Sequence, residues 1–158
     1  LVVLFGAGGA ARAVGVEMAL AGARQVTVVN RNPARGAEVA ALIDAKTPAR
    51  AEYAPWQGAF VLPETTDIVI HATSVGLYPD VDAMPAIDLT SLRPAMVVAD
   101  GIHNPPRTRL LQAAQAIGCK TADGLGMLVN QGVIGIKYWT GIDADAGVMR
   151  QALIDLDL

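Results

Sequence analysis

The chain has 158 residues, of which 53% are hydrophobic and 17% charged, and its formal net charge is −3. That composition excludes a disordered chain, and no cationic block indicates binding to nucleic acid. The apolar runs are shorter than the ~18 residues of a membrane span. The single cysteine, Cys119, excludes an internal disulfide and a cysteine-based zinc site, and it fits a cytoplasmic protein. We therefore expect one domain with its own core and no metal, nucleic-acid or membrane partner.

Strands and helices are predicted to alternate along the chain. Apolar, often β-branched runs predict strands at 1–5, 25–29, 49–53, 67–71, 95–99 and 119–122. Helical composition with caps and closing glycines predicts helices at 10–21, 33–42, 106–117, 127–138 and 143–156. Segment 55–66 lacks periodicity, and we expect a loop with a short helical turn. Most strands are apolar on both faces, which favours a doubly wound α/β fold with a mostly parallel sheet and helices on both faces.

A glycine-rich turn, GAGGAARAV, follows the first predicted strand. Gly6 permits a tight turn, Gly8 leaves room for a pyrophosphate, and Ala11 lets the helix pack closely. The helix start offers free N–H groups to phosphates. Such turns also serve merely to change direction, but a second strand ending 22 residues after Gly8 favours dinucleotide binding. The turn residues expected at the cofactor are Gly6, Ala7, Gly8, Gly9 and Ala10.

The second strand ends in Asn30-Arg31, where NAD-binding proteins often carry a carboxylate for the ribose hydroxyls. Asn30 can bond the ribose, and Arg31 can bind a 2′-phosphate. Arg35, one helical turn further on, can close on the same phosphate. Asn32 either adds a weak adenosine contact or only caps the next helix. Two solvated surface arginines are the alternative, but their position favours NADP.

Five segments occur in order and at suitable spacing: GAGGAARAV, NRNPAR, ATSVGL, DGIHNPPRTRLL and DGLGMLVNQG. Together they resemble the NADP-binding domain of the shikimate dehydrogenase family, which includes quinate/shikimate dehydrogenases and shikimate-dehydrogenase-like paralogues. The resemblance covers nearly the whole chain. It implies a Rossmann-like fold, NADP(H) as cofactor, and reversible hydride transfer between the nicotinamide and a cyclic hydroxy acid such as shikimate or quinate.

The resemblance also implies roles for single residues. Gln131 would bond a substrate hydroxyl. Gly124 would lie near the nicotinamide, although it could instead be an ordinary turn glycine. Met127 would pack against the cofactor ring, although it could instead fill the core. Asp100 and Asp123 are better interpreted as loop and capping groups than as acids. The residues expected along the cofactor towards the nicotinamide are Thr73, Ser74, Val75, Gly101, Gly124 and Met127.

The two histidines depart from the family pattern. His71 stands where the family carries Asn, and a hydrogen-bonded structural group is the simplest interpretation. His103 stands where the family carries a tyrosine that borders the substrate, so an imidazole there would change how the substrate fits. The identity of the substrate therefore stays open.

In the family, a lysine and an aspartate of a separate N-terminal domain handle the proton. Lys46, Lys120 and Lys137 lie outside any such context, so no catalytic residue is expected in this chain. We expect residues 1–158 to be the cofactor-binding half of a two-domain enzyme, which binds NADP(H) without turnover. Helices 127–138 and 143–156 would pack towards the missing domain.

The last predicted helix carries an apolar stripe, which could promote a homodimer if it is exposed. Its residues are Met149, Ala152, Leu153 and Leu156. Two other classes stay open: a non-catalytic NADP-binding paralogue or sensor module, which the histidine departures motivate, and another NADP enzyme such as a methylenetetrahydrofolate dehydrogenase. The segment DGLGMLVNQG argues against the latter.

Overall fold

The computed structural model describes residues 1–156. Its six strands form one sheet, and every pair of neighbouring strands is parallel. The strands are β1 (Val2–Phe5), β2 (Gln25–Asn30), β3 (Arg50–Pro55), β4 (Ile68–His71), β5 (Val97–Asp100) and β6 (Lys120–Ala122). Their order across the sheet is β3-β2-β1-β4-β5-β6. Strands β2 and β3 are therefore added on one side of β1 and strands β4 to β6 on the other, which is the doubly wound α/β topology that the sequence predicts.

Alternate residues of β1 enter two different cores, one on each face of the sheet. Val2 and Leu4 pack with helices on one face, whereas Val3 and Phe5 belong to the core on the other face. Because both faces are covered, β1 is buried throughout and its sequence is apolar without alternation. The helices are α1 (Gly9–Leu20), α2 (Pro33–Lys46), α3 (Arg109–Ile117), α4 (Leu125–Thr140) and α5 (Ala146–Asp155).

Several helices begin or end at other residues than predicted, and hydrogen-bonded caps account for the observed starts of α3 and α5. Helix α3 starts at Arg109 rather than at 106, because the Thr108 side chain accepts a hydrogen bond from the N–H of Leu111. Helix α5 starts after Asp145, which caps it, while Asp143 pairs instead with Lys137. Helix α4 is longer than 127–138, and it ends at Gly141 in the left-handed conformation (φ 74°).

Segment 56–66 contains no helix, so the predicted helical turn there is wrong. It holds one hydrogen-bonded turn, in which the N–H of Thr66 donates to Pro63 O at 3.0 Å. A three-residue 3-10 helix lies further along, at Leu89–Ser91, because the Asp88 side chain caps it by accepting from the N–H of Thr90. Among the described residues, no helix is both long and apolar enough to cross a membrane.

The predicted apolar stripe on the last helix is only partly exposed. Met149 packs against α4, where its Cε would lie 2.8 Å from a Cβ atom added to Gly132. Leu156 is 66% exposed. The most exposed large apolar side chains are instead Tyr138 and Trp139 on α4, at 84% and 85%.

Candidate functional site: a phosphate-ready cleft at the carboxyl edge

A cleft of about 570 Å³ opens at the carboxyl edge of the sheet, where the chain turns away from β1 towards β2 on one side and β4 on the other. Open α/β sheets bind ligands at this switch point. The cleft is lined by Gly6, Ala7, Gly8, Gly9, Ala10, Asn30, Arg31, Asn32, Arg35, Trp56, Ala72, Thr73, Ser74, Leu77, Gly101, Ile102, His103 and Met127. Within residues 1–156, its lining has two arginines and no carboxylate, so it suits an anion although the whole chain is acidic.

The glycine turn between β1 and α1 forms the floor of the cleft. Gly6 has φ 116°, and its N–H donates to Val29 O at 2.9 Å. A Cβ atom on Gly6 would lie 2.6 Å from the carbonyl oxygen of Ala72, so only glycine fits. Gly8 has open space around its Cβ position, and no side chain caps α1 at this residue. The first N–H groups of α1 are therefore available to a phosphate.

The residues after β2 form one wall of the cleft. Arg31 and Arg35 are both exposed, and within residues 1–156 neither guanidinium pairs with a carboxylate. Asn32 accepts a hydrogen bond from the N–H of Arg35 at 3.0 Å and caps α2. The side-chain Nδ2 of Asn30 donates to the backbone carbonyl of Asn32 at 2.9 Å, and the Oδ1 atom of Asn30 is left for a ligand. A second helix N-terminus with two free arginines thus faces the same cleft.

Residues after β4 and β5 form the opposite wall. Thr73 and Ser74 follow β4, and Gly101 and His103 follow β5. Met127 is 45% exposed and lies in the lining rather than in the core. Its Cε would be 3.8 Å from a Cβ atom on Gly101, so the thioether covers the backbone at that point. The wall is mainly uncharged, which suits a flat uncharged ring better than a phosphate.

Three predicted site residues lie outside this lining. Val75 lines an adjoining pocket of about 240 Å³, which shares Arg31 with the main cleft. Gly124 packs beneath the cleft, because a Cβ atom there would lie 2.3 Å from Ile102 O. Gln131 is exposed on α4, and its Nε2 donates to Leu128 O at 3.0 Å.

A buried polar cluster joins the two loops of the uncharged wall from below. His71 Nδ1 lies 2.9 Å from Asp100 Oδ1, and His71 Nε2 lies 2.5 Å from Thr73 Oγ1. Asp100 also accepts hydrogen bonds from the N–H of Ile102 at 3.1 Å and from the hydroxyl of Thr108 at 2.7 Å. His71 is thus a hydrogen-bonded buried group, as predicted. Asp100 is not a loop group but the last residue of β5 and the centre of this cluster.

Asp123 caps α4, as predicted, and also ties it to α5. Its carboxylate accepts from the N–H groups of Leu125 at 3.1 Å and Gly126 at 3.4 Å, and from Arg150 Nη2 at 2.7 Å. Burial alone raises the pKa of this carboxyl. The hydrogen bond and charge of Arg150, with the two N–H groups, outweigh burial and bring the pKa below its usual range.

The sequence reasoning missed Trp56, which lines both the cleft and the adjoining pocket. It follows β3, whose last residue, Pro55, is in register with Asn30. Its indole Nε1 donates to Ala86 O at 2.9 Å, and its ring packs 5.0 Å from that of Phe5. The position after a strand end was the available sequence indication, since all parallel strands end at the same edge.

The comparisons with known proteins agree with this geometry. The family model for shikimate / quinate 5-dehydrogenase matches residues 1–81, and that for the shikimate 5′-dehydrogenase C-terminal domain matches residues 124–154. The shikimate dehydrogenase (NADP(+)) of Desulforamulus reducens is 40% identical over 153 residues, which are 96% of this chain and 53% of that protein. The chain thus spans about half the length of the curated relatives that it matches.

Three solved structures have the same fold over nearly the whole chain. The 5-ketofructose reductase of Gluconobacter sp. is 54% identical, with a TM-score of 0.91 over 98% of this chain and 56% of that one. A shikimate dehydrogenase in complex with NADP+ is 36% identical, with a TM-score of 0.88 over 99% and 54%. The quinate dehydrogenase of Corynebacterium glutamicum in complex with NAD is 29% identical, with a TM-score of 0.88 over 98% and 54%. Taken with the family-model matches, these likenesses show that the chain belongs to the shikimate/quinate 5-dehydrogenase family of oxidoreductases.

Proposed function

We propose that residues 1–158 are the NADP(H)-binding domain of a two-domain oxidoreductase. The observation that carries this proposal is the meeting, in one cleft, of an uncapped helix N-terminus and a pair of arginines. The helix start at Gly8 has no side-chain cap, and Arg31 and Arg35 have no carboxylate partner among residues 1–156. A dinucleotide with a 2′-phosphate has anionic groups for both. Two family members of known structure are in complex with NAD, so these arginines, rather than the fold, support the preference for NADP.

Each wall then has its own task. The backbone of the glycine turn holds the pyrophosphate, and Asn30 bonds the ribose beside the 2′-phosphate. The uncharged wall, with Thr73, Ser74 and Met127, receives the nicotinamide and its ribose. Gly124 supports this wall from below, and Val75 borders the adenosine end through the pocket that it shares with Arg31.

The bound cofactor supplies hydride chemistry, and the chain orients its ring. Among the described residues that line the cleft, His103 carries the only imidazole. It replaces the tyrosine of the family pattern and is proposed to border the substrate, with Gln131. The proton-handling groups of the reaction are proposed to lie in the other domain, so this chain alone binds NADP(H) without turnover. The exposed side chains of α4, Tyr138 and Trp139, would pack towards that domain.

Two substrate classes are candidates for the whole protein. A cyclic hydroxy acid of the shikimate or quinate type follows from the family. A keto-sugar of the 5-ketofructose type is favoured by the higher identity to the 5-ketofructose reductase, 54% against 40% for the shikimate dehydrogenase of D. reducens. In both classes a polyhydroxylated ketone and an alcohol interconvert. The carbonyl carbon of 5-ketofructose, or of the dehydro form of shikimate or quinate, accepts hydride from NADPH and its oxygen accepts a proton, whereas shikimate or quinate itself gives the hydride to NADP+ and releases the proton. A non-catalytic NADP-binding module is the alternative to both.

Titration calorimetry of this chain with NADPH and NADH tests the cofactor proposal. We expect Arg31→Ala to weaken NADPH binding about tenfold or more, because a charge-assisted contact is lost, and to change NADH binding by about twofold at most. Arg24→Ala is the matched control, since Arg24 precedes β2 at the opposite edge of the sheet. Equal affinity of the unchanged chain for both cofactors would refute the NADP preference.

Steady-state assays of the full-length protein with shikimate, quinate and 5-ketofructose test the substrate. If a keto-sugar is the substrate, His103→Tyr should lower its turnover more than it lowers NADPH affinity. Turnover of shikimate or quinate alone would exclude the keto-sugar. A full-length protein that binds NADPH but neither oxidises shikimate or quinate with NADP+ nor reduces 5-ketofructose with NADPH would support the non-catalytic module.

A further inference from the structure

The buried cluster beneath the uncharged wall forms a directed chain of hydrogen bonds that ends in the cleft. His71 is fully buried, and it bridges Asp100 of β5 to Thr73, which lines the cleft. The groups that face the imidazole are this carboxylate and this hydroxyl. Asp100 is the one titratable partner of His71 among the hydrogen bonds of residues 1–156.

The Asp100 end of the chain fixes the position of one proton. Ile102 offers a backbone N–H, which can only donate, so Asp100 Oδ1 accepts. Thr108 Oγ1 receives the N–H of Leu111 at 3.3 Å and gives its own proton to Asp100 Oδ2. The carboxylate thus acts as an acceptor throughout. His71 must therefore carry a proton on Nδ1, because two acceptors would repel each other at 2.9 Å.

The Thr73 end fixes the second proton. Thr73 Oγ1 accepts the N–H of Val75 at 3.2 Å. Its hydroxyl proton has one acceptor among the described residues, His71 Nε2 at 2.5 Å. With Nε2 unprotonated, every donor proton in this series of hydrogen bonds, which runs from the Val75 N–H through Thr73 and His71 to Asp100, has an acceptor without any ligand. With Nε2 protonated, the Thr73 hydroxyl proton would lose its acceptor.

We propose that His71 is a positioning residue for the cofactor, held in the neutral form with its proton on Nδ1. It takes the hydroxyl proton of Thr73 and leaves Thr73 Oγ1 as a fixed hydrogen-bond acceptor on the cleft wall. That oxygen then selects a donor on the ligand, such as an amide N–H or a ribose hydroxyl. This inference rests on the proposed function, because it assumes that the cleft holds a dinucleotide.

Packing keeps the threonine in place as well. The methyl group of Thr73 would lie 3.1 Å from a Cβ atom on Gly6, so the side chain is held between the glycine turn and the imidazole. His71 thereby couples three parts of the cleft: the phosphate-binding turn, the loop after β4 and the loop after β5. A merely structural histidine would stabilise the loops without setting the polarity of the threonine oxygen.

Nitrogen-15 NMR of the chain labelled at histidine tests the proton positions without any ligand. At pH 7.5 we expect a protonated Nδ1 and an unprotonated Nε2 for His71. His103→Tyr removes the other histidine signal and completes the assignment. A doubly protonated ring, or a proton on Nε2 alone, would overturn the proposal.

Calorimetry with NADPH tests the functional step. His71→Asn keeps a donor for Asp100 and removes the acceptor for Thr73, while Thr73→Val removes the hydroxyl. We expect each variant to bind about tenfold more weakly, and the double variant no more weakly than either one, since both remove the same contact. Thr73→Ser should stay within about threefold. The control is Thr90→Val, which loses an exposed hydroxyl bond to Asp88 outside the cleft.

The outcomes separate this inference from the proposed function. Absence of NADPH binding by the unchanged chain refutes the proposed function, while the NMR result still decides the state of His71. If the unchanged chain binds NADPH and the double variant binds about a hundredfold more weakly, the two residues act independently. That result refutes the coupling between His71 and Thr73 but leaves the proposed function intact. If His71→Asn does not fold, Thr73→Val alone decides: an NADPH affinity equal to that of the unchanged chain would refute the role of the Thr73 hydroxyl and therefore the proposal.

Discussion

Gly6 and Ala72 approach each other so closely that a Cβ atom on Gly6 would lie 2.6 Å from the carbonyl oxygen of Ala72. The contact joins the phosphate-binding turn to the loop after β4, and it brings the two walls of the cleft together at the centre of the sheet. Gly6 also has φ 116°, which side chains of L residues rarely adopt. One glycine thus satisfies a conformational and a steric requirement at the same point.

We expect Gly6→Ala to lower the free energy of unfolding by about 3 kcal/mol, because it adds backbone strain and a clash with a backbone oxygen. Urea denaturation measures the loss. Gly22→Ala is the matched control, since Gly22 has φ 107° and open space around its Cβ position. The difference between the two variants isolates the contact with Ala72. Equal losses in both would show that this contact costs nothing.

Gly8→Ala should separate binding from folding. Gly8 has φ −87° and nothing within 4 Å of its Cβ position, so we expect a loss of unfolding free energy of only about 1 kcal/mol or less. The added methyl group occupies space proposed for the pyrophosphate. NADPH affinity should therefore fall about tenfold or more by calorimetry. Gly135→Ala on α4, away from the cleft, should leave the affinity unchanged; a fall there, or none at Gly8, would contradict the assignment.

The clamp between Asp123 and Arg150 should make stability depend on pH. Because the pKa of Asp123 is lowered in the folded chain, its contribution is present above the unfolded value, near 3.9, and is lost as pH falls through the folded value. We expect Asp123→Ala to cost about 1–2 kcal/mol at pH 7, by loss of the cap and the ion pair. The difference from the unchanged protein should shrink below about pH 4.

Asp143→Ala provides the control for this clamp, since Asp143 forms an exposed pair with Lys137 at 2.6 Å. Exposed pairs contribute little, so its effect should stay below about 1 kcal/mol at both pH values. Urea midpoints at pH 7 and pH 3.5 give the comparison. A cost of Asp123→Ala that is the same at both pH values would exclude the ionised carboxylate as its source.

The two tryptophans offer a direct report on cofactor binding. Trp56 lines the cleft, whereas Trp139 is 85% exposed on α4. We expect NADPH to quench tryptophan emission in the Trp139→Phe variant, where Trp56 is the only emitter. The Trp56→Phe variant should lose most of the quenching while still binding. Equal quenching in both variants would show that NADPH does not bind beside Trp56.

Much of the fold was predictable from local patterns. All six strands were predicted to within two residues of their bounds. Buried parallel strands such as β1 are continuous apolar runs, which makes them easy to recognise. Helix ends were predicted less well, since α3 depends on Thr108 and α5 on Asp145 for the caps that define their starts. The helical turn expected in 55–66 failed because that segment is fixed by contacts with residues far along the chain, such as the bridge between Phe60 and Ile87.

The sequence by itself determined the chemistry of two separate motifs: the glycine turn after β1 and the arginines after β2. These features act over a few residues, and backbone conformation and charge suffice to recognise them. Only the tertiary structure decided which motifs meet. Trp56 enters the cleft, and His71 reaches Asp100 across 29 residues of sequence, because parallel strands bring all their carboxyl ends to one edge of the sheet. No local periodicity encodes that convergence.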